Sequence, residues 1–329
     1  MRQFEYTSPK SKQQAVGLLG KSFEETAVFA GGTDLLALMK DDVVHPKRLV
    51  NIKQIAELRG ITKQANAYRI GALTTLGEMA ENADLKRQFP VLHDALWEAA
   101  SEQIRNVATI GGNLCQRPRC WYFRNGMGLL AQKDGQSLVQ TGDNRYHAIL
   151  GNDGAALFVS PSTIVPVLIA HGAKVRIIGA KAREIPLENL YRTPKDESER
   201  ELDLAPNEIV TEISLPISDA NTRAGYYEVR QKEAFDWPYV SCGVVLKING
   251  ANVESARVVL NQVAPIPWIS QEAAAALVGK PLNEETAMAA ANVALAKARS
   301  LSKNKYKITL AKVAVKRAIL AAANPKPRT

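Results

Sequence analysis

The first sixty residues carry short apolar runs separated by a helical stretch. The runs TAVFA, residues 26–30, and RLVNI, residues 48–52, have the length of buried strands. Between them, the apolar positions of DLLALMKDD, residues 34–42, recur as on one face of a helix, and AVGLLG at 15–20 predicts a further short helix. A strand followed by a helix and a second strand predicts a small parallel sheet.

The next region begins with a strand and continues through helices. AYRIG, residues 67–71, has the pattern of a strand that ends at a turn. Thr74 or Thr75 can cap the helix that LGEMAENADL predicts over residues 76–85. A further helix is predicted in VLHDALWEAA, residues 91–100.

Farther along, one apolar helix is predicted from Ile164 to Ala170, among strand-forming stretches. The segment YRTPKDESERELDLAPNE, residues 191–208, is charged and broken by prolines, which predicts a surface loop. The composition changes again in PISDANTRAG, and this predicts a domain boundary near residue 220.

The last third of the chain predicts antiparallel strands followed by helices. GYYEVRQ, residues 225–231, has the pattern of a strand, and two further strand-like runs flank Asn249-Gly250. We expect this dipeptide to form the centre of a type I′ hairpin turn, which needs φ > 0 at both central residues. A helix with Asn283 as its N-cap and a final helix over residues 306–323 follow.

These patterns predict an α+β fold in three parts. We expect an N-terminal subdomain over residues 1–60, a middle subdomain over 61–220, and a C-terminal α+β domain over 221–329 that joins an antiparallel sheet with helices. At 329 residues the chain is long enough to bury a core in each part.

Composition narrows the class of protein. Hydrophobic residues make up 46% and charged residues 23%, as in ordinary soluble proteins, and no apolar run approaches the roughly 18–20 residues that span a bilayer. The N-terminus resembles no secretory signal, and three cysteines are too few for a disulfide scaffold. We expect a cytoplasmic protein without a membrane span, or a periplasmic one only if a signal-bearing partner exports it.

The formal net charge of +9 is compatible with nucleic acid, an anionic cofactor or an acidic partner. Much of the excess lies in residues 297–319, where lysines recur at helical spacing opposite apolar residues. This pattern predicts a solvated helix face. This basic stretch contains one aromatic residue, Tyr306, and no series of aromatics alternating with the lysines, so we expect no binding of nucleic acid.

The usual catalytic and metal-binding constellations are missing. There is no G-x-S-x-G, no Walker A motif, no H-E-x-x-H and no G-x-G-x-x-G. The four histidines are scattered, and none has metal-ligand spacing: they are His45, His93, His147 and His171. We therefore expect no catalytic side chain and no metal ligand in this chain.

Two glycine pairs, each after an apolar run, are the strongest candidates for a binding site. They lie in VFAGGTDLLALM, residues 28–39, and in VATIGGNL, residues 107–114. Glycine turns let backbone N–H groups point into one concavity, and the first pair also opens a helix whose N-terminus favours an anion. Thr33, Thr109 and Asn113 add polar side chains. Each pair alone could be an ordinary tight turn, but two such turns that meet can hold a pyrophosphate.

The motifs follow one another in a recognisable order along the chain: AGGTDLLALMK, LVNIKQIAELRGI, IGALTTLGEM and ATIGGNL. Together they resemble the FAD-binding medium subunit of the xanthine dehydrogenase and aldehyde oxidase class of molybdenum hydroxylases. The flavoprotein subunits of carbon monoxide dehydrogenase, 4-hydroxybenzoyl-CoA reductase and bacterial aldehyde oxidoreductase belong to this class. The resemblance continues through FVSPSTIVPVLIAHGA and the final helix, and so covers nearly the whole chain.

The resemblance implies a two-subdomain FAD-binding fold of the vanillyl-alcohol oxidase type, with FAD between the subdomains and a C-terminal domain of the carbon monoxide dehydrogenase flavoprotein type. It implies that the first glycine turn wraps the pyrophosphate and that the second lies near the ribityl chain and the flavin. The cofactor-binding residues that it implies are Phe29, Ala30, Gly31, Gly32, Thr33, Asp34, Leu35, Ala72, Thr74, Ala108, Thr109, Gly111, Gly112, Asn113, Gln116 and Thr163.

Two positions depart from the family pattern. Many relatives have an Asp where this chain has Thr163, which brings a hydroxyl but no charge. Many also have a Lys where this chain has Glu228, and Arg230 or Lys232 could replace that cation. The second departure leaves the electron acceptor open among NAD, oxygen, a quinone and a ferredoxin.

The insertion loop over residues 114–150 corresponds to a loop that carries a [4Fe–4S] cluster in some relatives. Such a cluster takes four thiolates, but the loop offers Cys115 and Cys120 only, so we expect none. A zinc site from these cysteines and His147, or a cluster completed by other ligands, stays open. We expect the loop to keep an aromatic anchor at residues 121–123 and its arginines to be solvated or to pair with an acidic partner. Cys242, in an apolar strand, is expected to be a buried structural thiol.

The resemblance implies the FAD-carrying electron-transfer subunit of a heteromeric complex. A molybdopterin-binding large subunit would oxidise the substrate, and a [2Fe–2S] small subunit would pass the electrons to FAD, in a heterotrimer or a dimer of heterotrimers. Two alternatives stay open. One is a stand-alone flavin-dependent NAD(P)H reductase or oxidase on the same fold, and the other is a basic nucleic-acid-binding or scaffold protein without FAD.

Overall fold

The computed structural model describes residues 1–232 and 236–324, and its N-terminal sheet is parallel. The strands are ordered β1-β3-β2, and both neighbouring pairs run parallel. These elements are β1 (Glu5–Thr7), α1 (Lys12–Gly17), β2 (Thr26–Phe29), α2 (Leu35–Lys40) and β3 (Arg48–Asn51). The predicted parallel pair of β2 and β3 is confirmed. The edge strand β1 is short and mostly exposed, so no apolar pattern predicts it.

The middle part is built on a five-stranded sheet of order β4-β5-β10-β8-β9, in which every neighbouring pair is antiparallel. A small hairpin, β6-β7, stands apart from it. The strands of this part are β4 (Ile61–Lys63), β5 (Ala67–Gly71), β6 (Gln132–Lys133), β7 (Gln136–Ser137), β8 (Lys174–Ile178), β9 (Ala182–Pro186) and β10 (Ile209–Pro216). The sheet and the helices packed on it share the largest hydrophobic core.

The helices of the middle part begin at a capping box. The Thr75 hydroxyl accepts from the N–H of Glu78, and the Glu78 carboxylate accepts from the N–H of Thr75, so Thr75 is the cap and Thr74 is not. The single helix predicted over 76–85 is wrong, because the Asn82 side chain caps a new helix there. The helices are α3 (Leu76–Glu81), α4 (Ala83–Gln88), α5 (Pro90–Glu98), α6 (Glu102–Arg105), α7 (Ile110–Leu114), α8 (Trp121–Arg124), α9 (Leu138–Thr141) and α10 (Val165–Ala170).

The segment 191–208 is a loop, and Glu201 and Leu202 within it are buried. Leu202 pairs with Tyr191 in an isolated bridge. The prediction of a surface loop is therefore wrong at Glu201 and Leu202. Two acidic residues of this loop form ion pairs with arginines of other segments: Glu201 pairs with Arg117, and Asp203 pairs with Arg183.

The C-terminal part is an antiparallel sheet of order β11-β12-β13-β14 covered by helices. Its elements are β11 (Thr222–Val229), β12 (Val240–Asn249), β13 (Asn252–Asn261), β14 (Trp268–Ile269), α11 (Gln271–Leu277), α12 (Glu284–Ala294) and α13 (Tyr306–Ala323). Helix α12 is capped by Asn283 as predicted, and Cys242 is fully buried. The α+β fold is confirmed. No helix of the described residues is long and apolar enough to cross a membrane.

The β12–β13 hairpin turns one residue later than predicted. Asn249 pairs with Asn252, so the two central residues are Gly250 and Ala251. Gly250 has φ +61°, whereas Asn249 and Ala251 are not in the left-handed region. A positive φ at the first central residue alone is the pattern of a type II′ turn, so the predicted type I′ turn is wrong.

The lysine face of α13 is only partly solvated, because Lys307 is buried at 1% exposure. Its ammonium donates to the carbonyls of Tyr146 (3.1 Å), His147 (3.0 Å) and Gln262 (2.7 Å). These acceptors lie in the insertion loop and at the end of β13. The prediction of a solvated face is therefore wrong at Lys307, whose amine connects α13 with the insertion loop and with the residue that follows β13.

Candidate functional site

The two glycine turns meet in the structure. A Cβ atom built on Gly31 would lie 2.1 Å from the Val107 carbonyl oxygen, so only glycine allows the first turn to pack this closely on the second. Gly32 has φ +73°, which a residue with a side chain adopts only with strain. Both glycines of the first pair are thus explained by the backbone.

The first turn presents unused donors. Within the described residues, no acceptor receives a hydrogen bond from the backbone N–H groups of Gly31, Gly32, Thr33 or Asp34. Helix α2 starts directly after them, since the N–H of Leu36 already donates to the Gly32 carbonyl at 3.0 Å. Consecutive free N–H groups in such a turn form a concave anion-binding site.

The second turn has its polar groups engaged. The Thr109 hydroxyl accepts from the N–H of Gly112 (3.2 Å) and caps α7. The N–H of Gly111 donates to the Ala72 carbonyl, and the N–H of Ile110 donates to the Thr74 carbonyl, both at 2.9 Å. This turn is therefore a rigid wall that Ala72 and Thr74 hold from behind.

A cavity of about 190 Å³ lies between the two turns, and we call it the glycine-turn cavity. It is lined by nine of the residues that the sequence indicates: Ala30, Gly31, Gly32, Thr33, Asp34, Leu35, Thr109, Gly112 and Gln116. The remaining seven do not line it: Phe29, Ala72, Thr74, Ala108, Gly111, Asn113 and Thr163. Several of these seven support the walls. Asn113, for example, accepts from the Ser162 hydroxyl at 2.6 Å.

Asp34 faces the insertion loop. Its carboxylate accepts from the backbone N–H of Arg117 (2.8 Å) and pairs with the guanidinium groups of Arg119 (3.0 Å) and Arg124 (2.8 Å). The carboxylate is only 14% exposed, so these contacts fix the first glycine turn to the insertion loop. The prediction that the loop arginines are solvated or pair with a partner protein is wrong for these two.

Sequence reasoning missed one wall of the cavity. The loop 191–208 contributes Arg200, Leu202, Leu204, Pro206 and Glu208, and the insertion loop adds Arg117. The high charge of the loop suggested exposure, and no local motif marks these residues. They are identified by the fold, which brings them to the cavity that the first glycine turn also lines.

Comparison with known proteins now gives the family. Residues 2–218 match the model of the FAD binding domain in molybdopterin dehydrogenase, and residues 225–322 match that of the CO dehydrogenase flavoprotein C-terminal domain. The chain belongs to this flavoprotein family. The resemblance seen in the sequence is confirmed.

Relatives in the family align along almost their full length. The aldehyde oxidoreductase FAD-binding subunit of Escherichia coli K12 is 30% identical, over 95% of this chain and 96% of that one. The carbon monoxide dehydrogenase medium chain of Hydrogenophaga pseudoflava is 29% identical, over 97% and 96%. A solved structure of carbon monoxide dehydrogenase from the same organism superposes with a TM-score of 0.77, at 29% identity and over 98% of both chains.

The cysteines of this family member lie in different places. Cys115 lines the glycine-turn cavity, where burial raises the pKa of its thiol to about 12. Cys120 lines a second cavity of about 260 Å³, and its sulfur lies 3.2 Å from Nε2 of His147. Within the described residues, no group of three or more histidine, cysteine or acidic residues could hold a metal ion. The structure therefore brings Cys120 to His147 but places Cys115 at the other cavity.

Thr163 and Glu228, the two positions that depart from the family pattern, both have polar neighbours in the structure. Thr163 is buried and lies beside Ser162, which holds Asn113. Glu228 forms an ion pair with Arg230 and accepts from the Tyr226 hydroxyl at 2.6 Å. Arg230 also donates to the Glu98 carbonyl oxygen at 2.9 Å, so its charge is engaged by this cluster.

Proposed function

We propose that this chain is the FAD-carrying electron-transfer subunit of a heteromeric molybdenum hydroxylase. The observation that carries the proposal is the meeting of the two glycine turns, which places four residues with free N–H groups along one cavity. Such a site suits the pyrophosphate of a dinucleotide. The domain matches extend over nearly the whole chain, and both glycine turns lie within the part that matches the FAD binding domain.

The chain's own residues bind and orient the cofactor. FAD, when bound, supplies the one- and two-electron redox chemistry. The first turn would hold the pyrophosphate, and the second turn with Gln116 would bound the rest of the cofactor. We propose the sixteen residues named from the sequence as the binding set, in which Asp34, Ala72 and Thr74 act by supporting the two turns. No side chain is assigned a proton-transfer role.

The proposed partners follow from the named relatives. These are a carbon monoxide dehydrogenase medium chain and an aldehyde oxidoreductase FAD-binding subunit, each one subunit of a larger enzyme. We propose that a molybdopterin-binding large subunit oxidises the substrate and that a [2Fe–2S] small subunit passes the electrons to FAD. An external acceptor then takes them from this chain. We propose that the complex works in the cytoplasm.

We also propose the division of the chain at residues 60 and 220. The parallel sheet uses strands from 5 to 51, the five-stranded sheet uses strands from 61 to 216, and the last sheet starts at 222. Each sheet is thus drawn from one continuous stretch, as expected of separate structural units.

The experiment is to purify the full chain and measure its flavin and iron content. We expect a yellow protein with absorbance near 450 nm and about one FAD per chain. A colourless protein that does not take up added FAD would contradict the proposal. Turnover by the isolated chain with NAD(P)H would instead favour a stand-alone reductase. We expect iron near zero, whereas about four irons per chain would indicate a [4Fe–4S] cluster.

A further inference from the structure

Two arginines line the glycine-turn cavity, Arg117 and Arg200, and two more contact its Asp34; three of these four have acidic partners. Arg119 and Arg124 pair with Asp34, and Arg117 pairs with Glu201. The fourth, Arg200, lines the cavity but forms no ion pair with any carboxylate of the described residues. Its Nε is buried and has no hydrogen-bond partner there. A cation is thus held at this wall without a counter-ion.

Arg200 is held in position by its neighbours. The guanidinium lies over the Phe23 ring, 3.9 Å from the centroid, and the Arg200 carbonyl accepts from Nε of Arg192 at 3.0 Å. Burial and the nearby charge of Arg117 lower the pKa of Arg200 to about 10. A buried cation without a partner is unfavourable, and this unfavourable term disappears when an anion enters.

The carboxylates of the same cavity leave its charge positive. Arg119 and Arg124 share Asp34, whereas Glu208 and Asp203 share Arg183. These paired charges cancel, and Arg117 is matched by Glu201, so Arg200 leaves one positive charge. The first glycine turn adds its free N–H groups to the same cavity. Guanidinium groups bind phosphate oxygens in a bidentate manner, so a phosphate-bearing ligand satisfies both sets of donors at once.

We infer that Arg200 binds the diphosphate of the cofactor, in the cavity that it shares with the first glycine turn. This inference rests on the proposed function, in which FAD occupies the cavity. Arg200 is a binding residue and has no catalytic role. The diphosphate is then held between backbone donors from the N-terminal part and a charged side chain from the loop before β10, so cofactor binding ties these two parts together.

The test compares Arg200→Gln and Arg200→Lys with the control Lys195→Gln. Lys195 is exposed on the same loop and does not line the cavity, so its substitution removes one positive charge only. Each full-length variant, freed of flavin, is titrated with FAD by fluorescence. We expect Arg200→Gln to raise the Kd for FAD by about 10- to 100-fold, Arg200→Lys to raise it less, and the control to stay within about twofold.

Competition with ADP and adenosine identifies the group that Arg200 contacts. We expect Arg200→Gln to weaken ADP strongly and adenosine by less than about threefold, because adenosine lacks the phosphates. Equal weakening of both would overturn the inference, since it would indicate damage to the shape of the cavity. The flavin-free variant should unfold at a temperature no lower than that of wild type, because the substitution removes an unpaired buried cation.

The outcomes separate the inference from the proposed function. A wild-type chain that binds no FAD would contradict the proposed function itself. A wild-type chain that binds FAD, together with an Arg200→Gln variant that binds it equally well, would overturn the inference alone.

Discussion

The glycine-turn cavity and the second cavity, at Cys120 and His147, differ in how their polar groups are satisfied. The glycine-turn cavity holds free backbone N–H groups and an unpaired guanidinium. The second cavity, lined by Cys120, Trp121, His147, Trp237 and Lys307, is the larger of the two at about 260 Å³ against 190 Å³. Its lysine has all three donors engaged by carbonyl oxygens. Between these two, size would favour the second cavity, whereas unsatisfied donors identify the first as the anion site.

Lys307 provides the strongest test that the second cavity is structural. Lys307→Met removes the ammonium that donates to three carbonyls, of which that of His147 keeps the Asn304 amide as a donor. We expect the free energy of unfolding to fall by about 3–5 kcal/mol. Urea denaturation measures this fall, with the half-buried Lys312→Met on the same helix as the control. Under conditions where the variant is folded, its Kd for FAD should stay within about threefold. A large loss of FAD affinity would place the cofactor in the second cavity.

His147 tests the same cavity through pH. Burial lowers the pKa of His147 to about 4. As the pH falls, the imidazole therefore takes up its proton at a lower pH in the folded protein than in the unfolded chain. The free energy of unfolding is therefore highest above pH 6.5 and falls as the pH is lowered towards 4, by up to about 3 kcal/mol, because only the unfolded chain binds the proton in this range. His147→Gln should therefore flatten the stability profile between these pH values. If the variant and wild type have the same stability profile, His147 takes up its proton at the same pH in the folded and unfolded states, which would contradict the lowered pKa.

Gly31 tests the glycine-turn cavity. The Cβ atom of Gly31→Ala would collide with the Val107 carbonyl, separate the two turns and raise the Kd for FAD at least about 100-fold. Gly17→Ala in α1 is the matched control, because its Cβ has nothing within 4 Å and affinity should not change. Flavin titration measures both. Unchanged affinity in Gly31→Ala would mean that the close packing of the turns is not needed for binding.

Asp34 has the smallest expected effect, because it supports the first turn through the insertion loop. Asp34→Asn removes the charge that Arg119 and Arg124 share, and we expect about a tenfold rise in the Kd for FAD. Limited proteolysis should cut the insertion loop faster in the variant. Asp84→Asn, which removes the exposed partner of Arg87, is the control for loss of one carboxylate. A protease pattern identical in Asp34→Asn and wild type would show that this contact does not fix the loop.

Several elements could be predicted because their signals are local. The final helix has its bounds from Tyr306 to Ala323 as the apolar pattern indicates, and the Asn283 cap is where the side chain predicts it. Errors arose where two local signals were close together. Asn82 restarts a helix within an apparently continuous pattern, and the hairpin turns at Gly250-Ala251 although Asn249-Gly250 is the commoner turn dipeptide.

The sequence by itself determined the family, the α+β fold and the two glycine turns, because apolar spacing and short motifs are properties of neighbouring residues. The reason that position 31 must be glycine, its contact with Val107, came from the fold. The pairing of charges was decided only by the tertiary structure. Asp34 meets Arg119 and Arg124, Lys307 meets the carbonyls of Tyr146 and His147, and Arg200 meets no carboxylate among the described residues. These contacts join positions far apart in the chain, and whether a charge is solvated, paired or left for a ligand depends on which distant segment the fold brings to it.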